Sequence, residues 1–339
     1  MSLPLSLIAR MEAAKLFGLL LLLILTACSS QPINHGLLNP GNHRYAQLAP
    51  SHNIANLPYY PQIEDQCGPS SLATMLGVQG IVVSPEQLRE KIYIPGKEGT
   101  VTTEMIARAR RYGLLVYPLA PELLDVLAEI NAGNPVLVMQ NLGFNWLPRW
   151  HFSVAMAYDL KRQTISLRSG TELKHEIGFS LFAKTWRRAN SWAVVLTQPD
   201  NLPATATAAA VVQAASQLEQ VGELQAAYKV YQAVLTQWPQ TTLAAFGAGN
   251  AAYALGHYGQ AEQHFTDYIA QQPQAAQGWN NLAYTLIKRQ CISAAKQAIH
   301  CAVQLQPSNK QLLESFDDIN RYPAAAAEAS CKLSPCVLP

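Results

Sequence analysis

The sequence predicts an α+β domain over residues 56–198, followed by an all-α array of helical repeats over residues 208–309. Three observations carry this. In the first region short β-like runs, such as 135–141 and 150–159, alternate with helical stretches. From about residue 208 onward the chain turns Ala- and Gln-rich with helical spacing. In that second region Pro239, Pro273 and Pro307 follow one another at intervals of 34 residues, a period that belongs to stacked helix pairs.

Bulk properties bound the answer. The 339 residues suit about two domains on a prior of roughly 150 residues each. Apolar residues make up 49% and charged residues 14%, which excludes a disordered chain. The formal charge is +2 with no long Lys/Arg run, so no nucleic-acid partner is indicated. His35, His43, His52, His175, His257, His264 and His300 show no metal-ligand spacing and read as surface groups. Neither a metal nor an organic cofactor is expected.

The first residues read as a targeting signal rather than as fold. Arg10 and Lys15 give a positive start, and 16–25 is an apolar stretch too short to span a bilayer by itself. Leu25-Thr26-Ala27-Cys28 follows and resembles a bacterial lipobox. That resemblance implies a signal peptide over 1–27 and a diacylglycerol on Cys28, with Met11 as an alternative start. It also implies outer-membrane sorting toward the periplasm, because Ser29 rather than Asp comes next. Each buried acyl CH2 contributes ~0.8 kcal/mol to such an anchor. Residues 28–55, rich in Ser, Asn, Pro, Gly and His, read as a flexible membrane tether.

Phasing each repeat Pro at position 32 gives units 208–241, 242–275 and 276–309. Position 8 is then Ala215, Gly249 and Ala283, and position 20 is Ala227, Ala261 and Ala295. Small residues there let helices approach closely. Position 24 is Tyr231, Phe265 and Ile299, bulk that fills the space between them. The pattern resembles tetratricopeptide repeats, which implies a solenoid whose curved face binds a protein partner. Residues 199–207 read as a linker, and 310–339 as a capping helix and tail.

Five cysteines follow Cys28: Cys67, Cys291, Cys301, Cys331 and Cys336. An oxidising envelope permits disulfides, and an odd number leaves one thiol over. Two pairings are open to the others, Cys331 with Cys336 in a small loop and Cys291 with Cys301 between neighbouring helices, with Cys291 and Cys301 as buried thiols the equal alternative to the second.

The chemistry concentrates in Gln62-Ile63-Glu64-Asp65-Gln66-Cys67-Gly68-Pro69-Ser70-Ser71. Leu72, Met75 and Leu76 then share one helical face, so Cys67 falls at a helix N-terminus. Exposed N–H groups and the macrodipole favour a thiolate there. The Cys67 N–H is also a candidate oxyanion donor, with the Gln62 side chain as second donor and Gln66 as its competitor. A thiol needs a base, and His151 at the head of the apolar run 150–159 supplies one. Trp146 and Trp150 flank the expected cleft, as substrate contacts or as rim packing.

This region resembles the bacteriocin-processing, double-glycine type of papain-like cysteine peptidase and its stand-alone lipoprotein relatives. The resemblance rests on the Gln-rich lead to Cys67-Gly68-Pro69, on Ser84-Pro85-Glu86 as a helix start, and on Trp150-His151-Phe152 in a strand. It implies an α+β papain-like cysteine peptidase domain followed by an all-α tetratricopeptide-repeat solenoid, acting on a peptide or protein substrate. One departure stands out. The family carries Asp or Asn on the strand after the His strand, whereas here that strand reads Ile165-Ser166-Leu167-Arg168-Ser169. Ser169 takes the orienting place, or Asp159 substitutes from another direction. A hydroxyl supports an imidazolium less than a carboxylate does, so a slow enzyme is expected. An inactive peptide-binding scaffold of an envelope complex is the alternative.

Overall fold

β-Branched and apolar runs, punctuated by polar turns, pair here into a seven-stranded antiparallel sheet and a separate two-stranded one. The computed structural model describes residues 43–62, 66–94, 99–323, 331, 333, 335 and 336. The expected signal peptide and Cys28 lie outside them. The chain divides into two units, Met1–Ala46 and Gln47–Pro339. In the first, the described part is a short helix, α1 (His43–Ala46).

The second unit opens with β1 (Ser51–Asn53), then α2 (Cys67–Val78), α3 (Pro85–Ile92), β2 (Tyr93–Ile94), β3 (Gly99–Thr100) and α4 (Thr102–Arg110). Next come β4 (Leu115–Pro118), α5 (Leu123–Asn131), β5 (Val136–Asn141), β6 (Trp150–Asp159), β7 (Thr164–Ser169), β8 (Glu172–Gly178), α6 (Phe179–Arg187) and β9 (Ala193–Thr197). The sheet order is β4-β9-β5-β6-β7-β8, with β1 also paired to β6. Every pairing among the described strands is antiparallel.

Alternation along β6 assigns its two faces. Phe152, Val154 and Met156 join Leu72, Met75 and Leu76 of α2, Leu88 of α3 and Met105 of α4 in one buried cluster. On the other face Ser153 donates to Gln140, whose amide donates to Thr185 of α6. Ser84 caps α3 through a reciprocal box with Gln87, and Pro85 follows at the first helical position. The predicted helix start is therefore formed by its own capping chemistry.

Two expected boundaries shift. Residues 51–53, assigned above to the tether, are part of the sheet. Ser51, His52 and Asn53 pair with Asp159, Tyr158 and Ala157, which covers the part of β6 beyond the end of β5. Pro50 accepts from Leu160 N–H, and Ile54 N–H donates to the Met156 carbonyl. The stretch 199–207 is likewise bound down rather than free. The buried Glu129 carboxylate accepts from the N–H groups of Ala204 and Thr205 and from Thr205 Oγ1. Tyr117 Oη donates to the Thr205 carbonyl.

Beyond it the elements among the described residues are all helices: α7 (Ala208–Gln220), α8 (Leu224–Gln237), α9 (Thr242–Ala254), α10 (Tyr258–Gln271), α11 (Ala276–Lys288), α12 (Ile292–Leu305) and α13 (Lys310–Asn320). The first helices of successive pairs, and then α13, start 34 residues apart. The turns inside the pairs hold Gly222, Gly256 and Gln290 at φ +86°, +78° and +62°, a left-handed conformation glycine adopts without Cβ strain. Ala227, Ala261 and Ala295 are fully buried, as are Phe265 and Ile299, with Tyr231 nearly so. A Cβ on Gly249 would stand 2.6 Å from the Phe265 ring, so this position admits no side chain without displacement.

The disulfides differ from both expected pairings. Cys291 binds Cys331 and Cys301 binds Cys336, with Cα atoms 6.0 and 5.8 Å apart. Cys291 caps α12 and Cys301 lies within it. Ten residues of helix separate them by roughly 15 Å, about twice the span a disulfide bridges. The tail is consequently pinned at two points along one helix.

Candidate active site

Sheet and helix bring their N-terminal ends together through one glutamine. Gln62 Nε2 donates to Ser71 Oγ on α2 (2.9 Å) and to the Phe152 carbonyl on β6 (3.2 Å). Its Oε1 accepts from Gly170 N–H, and its own N–H donates to the Gly170 carbonyl. Ser71 lies one turn beyond Cys67 on the same face of α2, and Phe152 is the residue after His151. Gln62 therefore ties the head of the cysteine helix, the head of the histidine strand and the β7–β8 turn into one bracket. Both of its amide hydrogens are taken by this work. In this structure those hydrogens point to Ser71 Oγ and the Phe152 carbonyl, away from the expected role as side-chain oxyanion donor. The competing Gln66 is half-buried at the N-cap of α2, where its side chain caps nothing.

Cys67 opens α2, half-buried against the cluster that holds Phe152, and takes part in no disulfide. Gly68 follows because Thr100 of β3 closes on it. A Cβ there would lie 2.8 Å from Thr100 Cβ and 2.9 Å from its hydroxyl. Thr100 Oγ1 is buried with no hydrogen-bond partner in the structure. This hydroxyl at the helix head was not anticipated, because no local pattern ties residue 100 to residue 68.

His151 Nε2 lies 2.8 Å from Ser169 Oγ, so the imidazole meets a residue on the next strand. With the Nε2 proton donated to that hydroxyl, Nδ1 carries the lone pair. Burial, followed by the neighbouring His175 and Arg149, pushes the His151 pKa down to about 4. The ring is neutral at physiological pH. Asp159, the other candidate orienter, ends β6 eight residues away, roughly 26 Å along the strand. Its Oδ1 accepts from Arg162 N–H in the β6–β7 turn, and it has no part in orienting the ring.

Residues 54–194 match the model of the Peptidase_C39 like family. Among solved structures, a putative C39-like peptidase from Bacillus anthracis is 17% identical, over 43% of this chain and 97% of that one, with a TM-score of 0.37. A double-glycine-motif protease of an AMS/PCAT transporter, solved with a leader peptide, is 22% identical over 42% and 93%, with a TM-score of 0.34. The peptidase domain of Streptococcus ComA, a bifunctional ABC transporter of a quorum-sensing pathway, is 18% identical over 42% and 98%, also at 0.34. No curated protein matches the chain.

The matched stretch contains Cys67, His151 and Ser169. Among the described residues no cluster of three or more His, Cys, Asp or Glu is arranged to hold a metal ion. The loop before β6 leaves Trp146 and Trp150 exposed, and the ring of Trp146 stacks on Phe144.

Proposed function

We propose that this protein is a lipid-anchored cysteine peptidase of the bacterial envelope that hydrolyses a peptide or protein substrate. The observation that carries this is the His151–Ser169 contact of 2.8 Å, beside the helix headed by Cys67. It engages one ring nitrogen and leaves the other for a thiol. The family match over 54–194 supports the same reading. So does the state of the thiols: four cysteines are paired in disulfides while Cys67 is not.

In this mechanism His151 Nδ1 takes the proton of Cys67 as the sulfur attacks the scissile carbonyl carbon. The oxyanion is held by the Cys67 N–H at the helix head and by the Gln66 side chain, since Gln62 is committed to its bracket. Protonated Nδ1 then delivers its proton to the leaving amine, and a thioester forms. Water, deprotonated by the same nitrogen, hydrolyses it. Because His151 is neutral at rest, the base acts during attack rather than through a preformed ion pair. The helical region, read as three tetratricopeptide repeats, recruits the substrate or a protein partner and raises its local concentration. Cys28, acylated, holds the chain on the outer membrane facing the periplasm.

A thiol-reactive peptide probe tests the chemistry. Mass spectrometry should find it on Cys67, and His151→Ala should reduce the labelling rate at neutral pH by about 10²-fold or more. Labelling at an unchanged rate in that variant removes the base from the mechanism.

A further inference from the structure

The β5–β6 connection is rigid, yet it turns its apolar side chains outward. Asn141, itself buried, accepts the N–H groups of Gly143 and Arg149 on Oδ1 and donates from Nδ2 to the Phe144 carbonyl. Leu142 N–H donates to the Arg149 carbonyl, while Phe144 and Leu147 exchange backbone hydrogen bonds. Arg188, just past the end of α6, donates to the Gly143 carbonyl. Seven polar contacts thus fix a short loop from which Leu142, Phe144, Trp146, Leu147 and Trp150 all project. Trp146 is 79% exposed. A flexible loop would fold such groups back, and this one is braced against doing so.

The charges around the loop identify what covers it. Arg149 lies in the loop, and Arg187 and Arg188 stand at the end of α6. No acidic residue occurs from Ile130 to Tyr158. Aromatic rings over a cationic rim match the boundary of an anionic bilayer, where rings sit at headgroup level and guanidinium groups meet phosphates.

We propose that residues 142–150 seat in the interface of an anionic membrane. The seating stands on the loop alone and does not require Cys67 to be a nucleophile. Resting in addition on the peptidase reading, it places the His151 end of the cleft at the bilayer surface. The substrate is then a polypeptide segment lying close to that surface.

The full chain is reconstituted in vesicles of phosphatidylethanolamine and phosphatidylglycerol whose acyl chains carry bromine. Tryptophan emission is recorded for the natural protein and for Trp146→Phe, and the difference isolates Trp146. That difference should be largely quenched by the brominated chains and shielded from acrylamide in the water. Replacing phosphatidylglycerol with phosphatidylcholine should weaken the quenching. Emission open to acrylamide and untouched by bromine overturns the proposal. So does emission shielded from both, which would mean that another protein surface covers the loop. Neither result bears on probe labelling of Cys67, so the two readings fail separately.

Discussion

The Ser169 hydroxyl stands where a carboxylate would stabilise a protonated ring, and the consequence is a weak base. Burial, followed by the neighbouring His175 and Arg149, holds His151 down to about 4. In Ser169→Asp the new charge should raise the imidazole pKa by about one to three units. The pH at which Cys67 alkylation reaches half its maximal rate should then move down, because a charged ring supports the thiolate. A profile that does not move would show that residue 169 does not act on the ring. The same depressed pKa links to stability. An imidazole at about 6.5 unfolded and about 4 folded binds its proton more tightly when unfolded. Its contribution is therefore fully present above 6.5 and lost as pH falls toward 4, by roughly 3 kcal/mol. Urea midpoints of His151→Gln should fall less than those of the natural protein across that interval. The two glutamines separate in the same way. Gln66→Ala should lower kcat by about 10²–10³-fold. Gln62→Ala should chiefly cost stability, about 1–3 kcal/mol, by stranding Ser71 Oγ and the Gly170 N–H. Spacing from Cys67 made both glutamines eligible. Only the folded chain reveals that Ser71 and Phe152 claim the first.

Among elements, those set by local chemistry were legible and those set by distant partners were not. The box at Ser84 and the interval between the repeat prolines are local, and both define helices where the sequence placed them. His151 and Ser169 share a hairpin, so their approach was also within reach of a strand reading. The strand at 51–53 has no such signal, for it forms only because β6 outruns β5 and offers unpaired backbone. The segment 199–207 looks like a linker for its Pro and Asn content. Its anchor is Glu129, whose carboxylate also accepts from Asn134 Nδ2. A fully buried carboxylate is stable only while its acceptors are filled. Glu129→Gln keeps the shape but offers N–H groups to donors. It should cost about 2–4 kcal/mol and open a protease-sensitive site within 199–207. Limited proteolysis checks this, and a variant as resistant as the natural chain would mean that the segment is held by other contacts.

At the scale of the whole molecule, a single compact unit runs from Gln47 to Pro339, and its C-terminal end is closed covalently. The bridges join residues 40 and 35 positions apart. Either one alone constrains the unfolded chain by roughly 4 kcal/mol in the chain-entropy model. Their effects do not simply add, because both connect the same two segments. Once Cys291 and Cys331 are joined, the second bridge closes only the path through 291–301 and 331–336, a loop of about fifteen residues worth roughly 3 kcal/mol. Serine at both positions of one bridge should therefore cost about 3 kcal/mol, and loss of both bridges about 7. Urea unfolding followed by helical circular dichroism reads these values for the two single-bridge variants and for the variant lacking both. Equal stability with and without the bridges would show that the tail is held at α12 by packing alone. In that case its cysteines constrain nothing that the unfolded chain does not already forgo.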